Sequence, residues 1–560
     1  MAYEVKIPTI KLDETTRSTS TSAVPSPRDS YNSLITNKVE GGEHSDKYDL
    51  GKAREKKECR RSCCCSSVGQ SVWGVLLIAI SIGGFIVSPL DILLWEKLNM
   101  REGLPPYEWW SDPPDELLMR IYIFNVTNHD RFLNGLDAKI NVEEIGPIVY
   151  LEKLLHSNET FNENSTLSYK ARRFLVYLPE KNTINLNSTI VVPNLALLGI
   201  ASRLYDANYF MRTGFKFLAN SHGSTFFNQI SIYQYLWDYQ DSILETTKSL
   251  APNMVPTTNM GVLKGIYEGF ADDVTVMMGP KYGHENFFKI VRFNNREQLK
   301  GYNLDTCPDR ITGATEGVMY HQRMKKTDVL KYLRKTICRT MSLHFDEELT
   351  VDNVPVYRFN LSDDAFNRIR NGTDCYDTVP SLPDGVTDTS KCFDGIPMVA
   401  SYPHFYTGLP HRNKYVTGLK PDKEKHNSYV LVEPLTGTPF RALARMQCNL
   451  RVQNLSVFHG DNYDKFSELI IPLTWIEYSQ EGLPNTIRYT IYFMVVILPP
   501  LSTILLTFTL VLGFYYVIKQ VFRVKKDLFR SFLSLYKEED VLCKNKVIAY
   551  ETESFLKVPS

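Results

Sequence analysis

The chain of 560 residues carries 63 Lys plus Arg against 63 Asp plus Glu, so its formal charges cancel. At about 150 residues per domain it has room for two to four units. With no overall field to gather polyanions, a dedicated nucleic-acid binder is excluded as the leading class.

Residues 1–70 read as a tail. Positions 13–50 are rich in Ser, Thr, Pro and charge and have little to bury, so disorder is expected there. Tyr31-Asn32-Ser33-Leu34 fits a tyrosine-based endocytic signal, a four-residue pattern that chance also produces often. The run CRRSCCC at 59–65 abuts the first apolar segment within a basic stretch. Thiols placed at a bilayer surface can be acylated, so palmitoylation of Cys63, Cys64 and Cys65 is expected over a passive reduced cluster. Acyl-exchange labelling without a thioester there would remove that expectation.

From Ser62 to Leu90 there is no charged residue, and VWGVLLIAISIGGFIVSPL from Val72 is long enough to cross a bilayer as helix. A transmembrane helix is expected over 71–95. It starts too deep for a cleaved secretory signal and is expected to remain as an anchor. Ile190 to Ala201 is also apolar, but it is short and broken by Pro193, which suits a core element. The second span is expected over 489–518, charge-free throughout, with tilt or a kink at Pro499 and Pro500 to absorb its length. Basic residues crowd the outer flanks of both spans: Lys52, Arg54, Lys56, Lys57, Arg60 and Arg61 before the first, Lys519, Arg523, Lys525, Lys526 and Arg530 after the second. The positive-inside rule then places both tails, 1–70 and 519–560, in the cytosol and residues 96–488 outside or in a lumen.

Asn-x-Ser/Thr acceptors at Asn125, Asn158, Asn164, Asn187, Asn360, Asn371 and Asn454 all fall between the spans. That is where glycans are added, and the excess over chance is mild. The ten cysteines sort by compartment. Cys307, Cys338, Cys375 and Cys392 cluster in the outside segment and Cys448 stands apart, so two bridges and one leftover thiol is the simplest count, with three pairings open.

Alternation marks strands at LLMRIYIFNV (117–126) and RRFLVYL (172–178), with TINLNSTIVV (183–192) as an expected partner. Asn194 then stands where it can cap a helix in which Leu197, Ile200, Leu204 and Phe210 or Met211 recur at helical spacing, and a second helix is expected from Phe226 through Ile230, Tyr233 and Trp237. Short strands resume as far as residue 480. The fold class is therefore an α+β membrane protein, a mostly antiparallel β domain with an inserted helical lobe at about 194–249.

No metal, cofactor or nucleophile pattern appears: no H-E-x-x-H, no G-x-S-x-G, no P-loop, no G-x-G-x-x-G. Adjacent acids such as Asp272 with Asp273, Glu347 with Glu348 and Asp363 with Asp364 are expected to be solvated turn carboxylates. The chain is accordingly expected not to be an enzyme. Two rival classes share the topology. A ligand-gated two-span channel would need a polar stripe, and the second span offers only Ser502, Thr503, Thr507 and Thr509; an anchored ecto-hydrolase would need a phosphate loop that is missing.

Particular strings carry more than these patterns. IYIFNVTNHDRFLNG and KINVEEIGPIVYLE within 121–152, LWDYQDSIL at 236, VPVYRFNLSDDAF at 354, SYPHFYTG at 401, EPLTGTPF at 433 and IIPLTWIE at 470 closely resemble, in order, the class B scavenger receptor family. The resemblance covers about residues 72–520. It implies an antiparallel β-barrel-like ectodomain with a helical apex lobe and an internal apolar tunnel leading towards the membrane. It implies disulfides Cys307 to Cys375 and Cys338 to Cys392, while a third, close-spaced family bridge has no counterpart here. Ligands are expected to dock on the lobe, near Arg203, Phe210, Arg212, Lys216, His222, Phe226 and Phe227. A docking lysine of the family's fatty-acid translocase is replaced by Gly223, which counts against anion docking at that turn. The implied partners are lipids, lipoproteins or other lipophilic ligands, the membrane itself, and protein or particle ligands; homo-oligomerisation is left open. The implied location is the plasma membrane or the endosome and lysosome.

Overall fold

The computed structural model describes residues 51–554 apart from 114–116, 254, 256, 268–269, 280, 299–300, 303–306, 308, 371–373, 394, 409–415 and 461, with side chains from Gly69 to Lys537. The Tyr31–Leu34 pattern and Asn371 lie outside the described residues. The chain divides at Gln70: the first unit contributes the start of the helix Gly51–Val87, and everything from Ser71 belongs to the second.

Among the described residues two helical stretches are long and apolar enough to cross a membrane, Gly69–Val87 and Asn485–Lys537. The first helix does not run unbroken to 95. It stops at Val87, and a new helix, Pro89–Lys97, begins after Ser88, whose hydroxyl accepts from the Asp91 N–H at 3.3 Å. Pro89 explains the break, since a residue before proline is pushed out of the helical region. At the other end, the helix Asn485–Tyr492 continues through a π-helical turn, Phe493–Ile497, into Leu498–Ser554. Pro499 and Pro500 lack the N–H groups that the preceding turn would bond, and the wider turn accommodates the loss.

The two spans touch where their side chains are small. A Cβ on Gly513 would come within 2.8 Å of Ile78 Cγ1 and 2.9 Å of the Gly74 carbonyl oxygen. Close backbone approach of this kind is how helices pack in lipid, where burying apolar surface brings no gain. Beside it Ser81 Oγ and Thr509 Oγ1 are 2.7 Å apart, and Ser81 is fully buried.

Between the spans lies one large sheet. Its early strands are β1 (Leu117–Val126), β2 (Ile140–Phe161) and β3 (Thr166–Tyr177). Strands β4 (Thr189–Pro193) and β5 (Phe227–Ser231) form a separate ribbon. Then come β6 (Ala271–Met277), β7 (Ile290–Phe293), β8 (Val329–Arg334), β9 (Arg339–Val351) and β10 (Val354–Leu361). The rest are β11 (Val386–Asp388), β12 (Met398–Ser401), β13 (Val416–Thr417), β14 (Tyr429–Val432), β15 (Pro439–Arg451) and β16 (Ile470–Gln480). The main order is β7-β6-β3-β2-β1-β16-β15-β14-β10-β9-β8, antiparallel along that path. At the bulge between Ile121 and Ile123, Gly146 faces β1 so closely that a Cβ would sit 2.7 Å from the Ile121 carbonyl oxygen.

The barrel-like expectation needs correcting in one respect, because the ladder is not closed: the outermost strands β7 and β8 do not pair with each other. The irregular segment 311–315 stands between them. Gly313 donates to Ile290 O and Ala314 O accepts from Ile290 N on one side; Thr315 donates to Lys331 O and accepts from Leu333 N on the other. Four bonds of 2.8–2.9 Å thus occupy backbone groups that two sheet edges would otherwise leave open.

The helical lobe also differs from expectation. Asn194 does cap a helix, its Oδ1 accepting from Leu197 N at 2.9 Å, but that helix ends at Arg203 and a second one, Tyr209–Ser221, starts at the cap Asn208. The helix expected from Phe226 is three elements: β5, a short helix Ile232–Trp237 with a Ser231/Gln234 capping box, and a helix Ser242–Leu250 capped by Asp241. Residues 183–192 do not pair with the strand before them; β4 takes β5 as its partner. The two disulfides join Cys307 to Cys375 and Cys338 to Cys392, with Cα atoms 5.3 and 5.6 Å apart. Cys448 is a buried free thiol that burial pushes up to about 11, so it stays protonated.

Candidate binding cavity

The sheet wraps an interior that is filled at one end and empty at the other. At the lobe end Ile121, Ile123 and Ile476 meet Tyr235 from the lobe; all four are buried, and the Tyr235 hydroxyl is 3.0 Å from Thr474 Oγ1. At the end nearer the spans there is a cavity with about 1950 Å³ of atom-free space, counted out into solvent at its mouth. Its wall takes residues from almost every strand of the path: Leu117, Leu154, Met341, Leu343, Leu361, Val430, Ala442, Ala444 and Met446 are among the apolar ones. Leu483 and Ile487, which lead into the second span, complete that side.

One belt of this wall is charged. Arg173 on β3 lies 3.0 Å from Glu316 and 3.6 Å from Glu152 on β2. The Tyr169 hydroxyl donates to Glu316 at 2.7 Å, Tyr267 donates to Glu152, and the hydroxyls of Tyr267 and Tyr478 are 3.0 Å apart. Burial raises the Tyr478 hydroxyl to about 12; burial and the adjoining Glu152 hold Tyr267 well above its ordinary value. Both phenols therefore stay protonated. Burial works against the charge on Arg173, but Glu152 and Glu316 outweigh it and raise its pKa. Lys335 pairs with Asp272 and sits 3.7 Å over the Phe270 ring; burial lowers its pKa in spite of that partner. Asp272 is thus a buried strand residue, not the solvated turn carboxylate expected from its neighbour Asp273.

The cavity contains none of the seven lobe residues singled out in the sequence. Phe227 is buried against Phe132 and Phe466, and Phe226 stacks on Phe466 with ring centres 5.0 Å apart, so both are core. Arg212 donates to Tyr205 O at 3.3 Å and Lys216 to His459 O at 2.7 Å. Arg203 is half-buried against Gly395, and His222 meets Thr246 Oγ1 at 3.0 Å. Only Phe210, 83% exposed, presents a bare apolar surface, on the same helix as exposed Tyr209 and Phe217. Of the sequon asparagines, Asn158, Asn164, Asn187 and Asn454 are exposed, while Asn125 accepts from Val191 N and Asn360 donates to Asp346. Cys63 to Cys65 lie on the helix Gly51–Val87, outside the described side chains. Among the described residues no group of three His, Cys, Asp or Glu is placed to hold a metal ion.

The charged belt did leave a mark in the sequence. Glu152 follows Ile148 and Tyr150 at every second position of β2, and Arg173 follows Leu167, Tyr169 and Ala171 on β3. A charge on the buried side of a strand is the signal.

A family model described as the CD36 family matches residues 72–524. The chain is 27% identical over 438 residues to scavenger receptor class B member 1 of Rattus norvegicus, covering 77% of this chain and 84% of that protein. It is 27% identical over 409 residues to lysosome membrane protein 2 of Rattus norvegicus, 71% of this chain and 82% of that protein. Against lysosome membrane protein 2 of Homo sapiens the figure is 26% over 406 residues, 71% of this chain and 82% of the relative.

Proposed function

This chain belongs to the CD36 family, and on that premise we propose that it is a two-span scavenger-type receptor that takes lipophilic ligands into the cavity of its outer domain and exchanges them with the membrane, without covalent chemistry. The observation that carries the reading is the cavity: apolar walls of Leu, Ala, Val and Met inside the sheet, ending at Leu483 and Ile487 where the second span begins. Each Å² of apolar ligand surface moved from water to such a wall is worth about 25 cal/mol, enough to drive loading with no reaction. The same wall passes the ligand on, because the bilayer offers an equal apolar environment.

Docking of lipoproteins or other particles belongs on the lobe, around Phe210. Passage from lobe to cavity then requires the packed layer at Tyr235 to open. Both tails are cytosolic in this reading, the outer domain carries glycans at its sequons, Cys63 to Cys65 are palmitoylated, and the protein resides at the cell surface or in endolysosomal membranes. Mass spectrometry of lipids retained by the full chain, purified beside an Ala444→Phe variant that narrows the cavity, tests the central claim. Lipids specifically retained by the parent and depleted in the variant support it; equal retention by both would sink it.

A further inference from the structure

The helix Leu498–Ser554 runs unbroken well past the second span. At about 1.5 Å per residue the charge-free run from Tyr489 to Ile518 is about 45 Å long, which already takes in the hydrocarbon and both headgroup layers of a bilayer. A straight helix thus carries residues 519–537 out of the membrane, and every residue from Val521 to Lys537 is exposed. Large apolar side chains are among them: Phe522 is 68% exposed, Leu528 72%, and Phe529 and Phe532 65% each. The family match stops at residue 524, so most of this segment lies outside what the family model describes.

The helical period sorts this segment into two faces. Phe522, Val524, Leu528, Phe529, Phe532 and Leu535 fall within an arc of about 160°. Lys519, Arg523, Lys526, Arg530 and Lys537 fall within about 60°, on a stripe that borders the apolar arc on its Phe522 side, while Asp527, Ser531 and Ser534 take the remainder. Six Lys and Arg in all stand against one Asp. A flank that only retains the tail on its side of the membrane needs the charges and no apolar face. A helix that rests on a membrane needs both, because with its apolar face among the acyl chains the cations along the border of that face lie level with the headgroups. The other helical segment expected on the same side, 51–68, cannot cover this face: it is itself basic, with six Lys and Arg against two Glu, and offers few apolar residues besides cysteines.

We propose that residues 519–537 are a membrane-surface helix that binds anionic phospholipid, turning from the axis of the span just past Ile518 so that Phe522, Leu528, Phe529 and Phe532 enter the leaflet and the basic stripe meets its headgroups. The proposal rests on the two-span reading and adds a lipid-binding site on the side of the tails. Lys519 and Gln520 are the first polar residues after the span, and a turn there gives up hydrogen bonds within one helical turn while burying the whole apolar face. The chain thereby reads the charge of the leaflet that its tails face, and its grip weakens as salt screens that charge.

The test uses the full chain in nanodiscs of phosphatidylcholine, alone or with phosphatidylglycerol, whose headgroup adds negative charge. Chymotryptic cleavage after Phe529 and Phe532 is timed against cleavage after Phe555 in the same chain. At about 0.15 M salt the ratio is expected to fall about 10-fold or more when phosphatidylglycerol is present, since each cation near such a surface adds to the attraction, and the difference should shrink at about 1 M salt. Arg523→Gln with Lys526→Gln and Arg530→Gln should abolish the dependence on lipid charge. Leu528→Glu with Leu535→Glu, which spoils the apolar face and keeps every cation, should abolish it too. Neither set touches the domain between the spans. Equal cleavage in the two discs overturns the proposal, whether fast, which leaves the face to a soluble protein partner, or slow, which leaves it to neutral lipid. Protection confined to discs that hold two copies assigns the face to a second copy and overturns it as well, as does a dependence on lipid charge that survives in either variant set. Cleavage of the parent chain after Phe508, within the span, overturns the two-span reading instead.

Discussion

The two ends of the sheet's interior are built from the same strands and end differently. Towards the lobe, Ile121, Ile123 and Ile476 are buried in one cluster with Tyr235, whose hydroxyl is 3.0 Å from Thr474 Oγ1, and the space is filled. Towards the spans, Leu117, Ala442, Ala444 and Gln480 of the same strands β1, β15 and β16 line the cavity. The difference lies in the partner and not in the strand. One end has a lobe helix, Ile232–Trp237, to plug it, whereas the other faces the start of the second span.

The comparison breaks most sharply at Tyr235. Tyr235→Ala should cost about 3–5 kcal/mol, because it opens a void in a packed layer and strips Thr474 of its partner. Thermal unfolding of the full chain in detergent reads this; a loss under about 1 kcal/mol would mean that the layer is not packed as described. Both ends should weaken in acid. His426, behind the filled end, is pushed down to about 4 by burial and then by His404, with Glu144, Asp422 and Arg445 also facing it; His156, stacked on the cavity residue Trp110, is brought to about 4 chiefly by burial. The folded protein prefers both imidazoles neutral. Nothing is lost above about pH 6.5, and as pH falls towards 4 the unfolded chain takes up protons first and stability declines. Burial raises Glu144, but hydrogen bonds from His404 and Trp475 outweigh it and leave its pKa lowered; its stabilisation, complete above the ordinary carboxylate range, is lost at still lower pH, in the same direction. A Tm that stayed level between pH 7 and 5 would count against this account. The smallest effect belongs to the empty end, where Ala444→Phe has room and should change stability by less than about 1 kcal/mol. A penalty of about 1–3 kcal/mol, the usual cost of overpacking, would show that the space is already filled.

Much of the frame was readable from residues alone. Charge-free runs marked both spans, and Asn194 before an apolar repeat marked a helix start. The helix expected from Phe226 failed because Phe226, Ile230, Tyr233 and Trp237 fit a helical period while Phe227–Ser231 equally fits a short strand; pairing with β4 decided it. The cavity was not legible, since alternation tells which side of a strand is covered and not whether another side chain covers it. Glu152 and Arg173 on buried sides were the available clue.

The contact between the spans has a consequence for how the chain is made. Ser81 and Thr509 are 428 residues apart in sequence. At about 5–20 residues per second, the ribosome needs roughly 20–90 s between them. For all of that time the first helix must wait in the bilayer with its small-residue face unmatched, and Ser81 can wait because its hydroxyl also bonds the carbonyl of Leu77, 2.8 Å away in its own helix. The domain between the two spans is thus synthesised in full on a single anchor, and the second span closes the structure last.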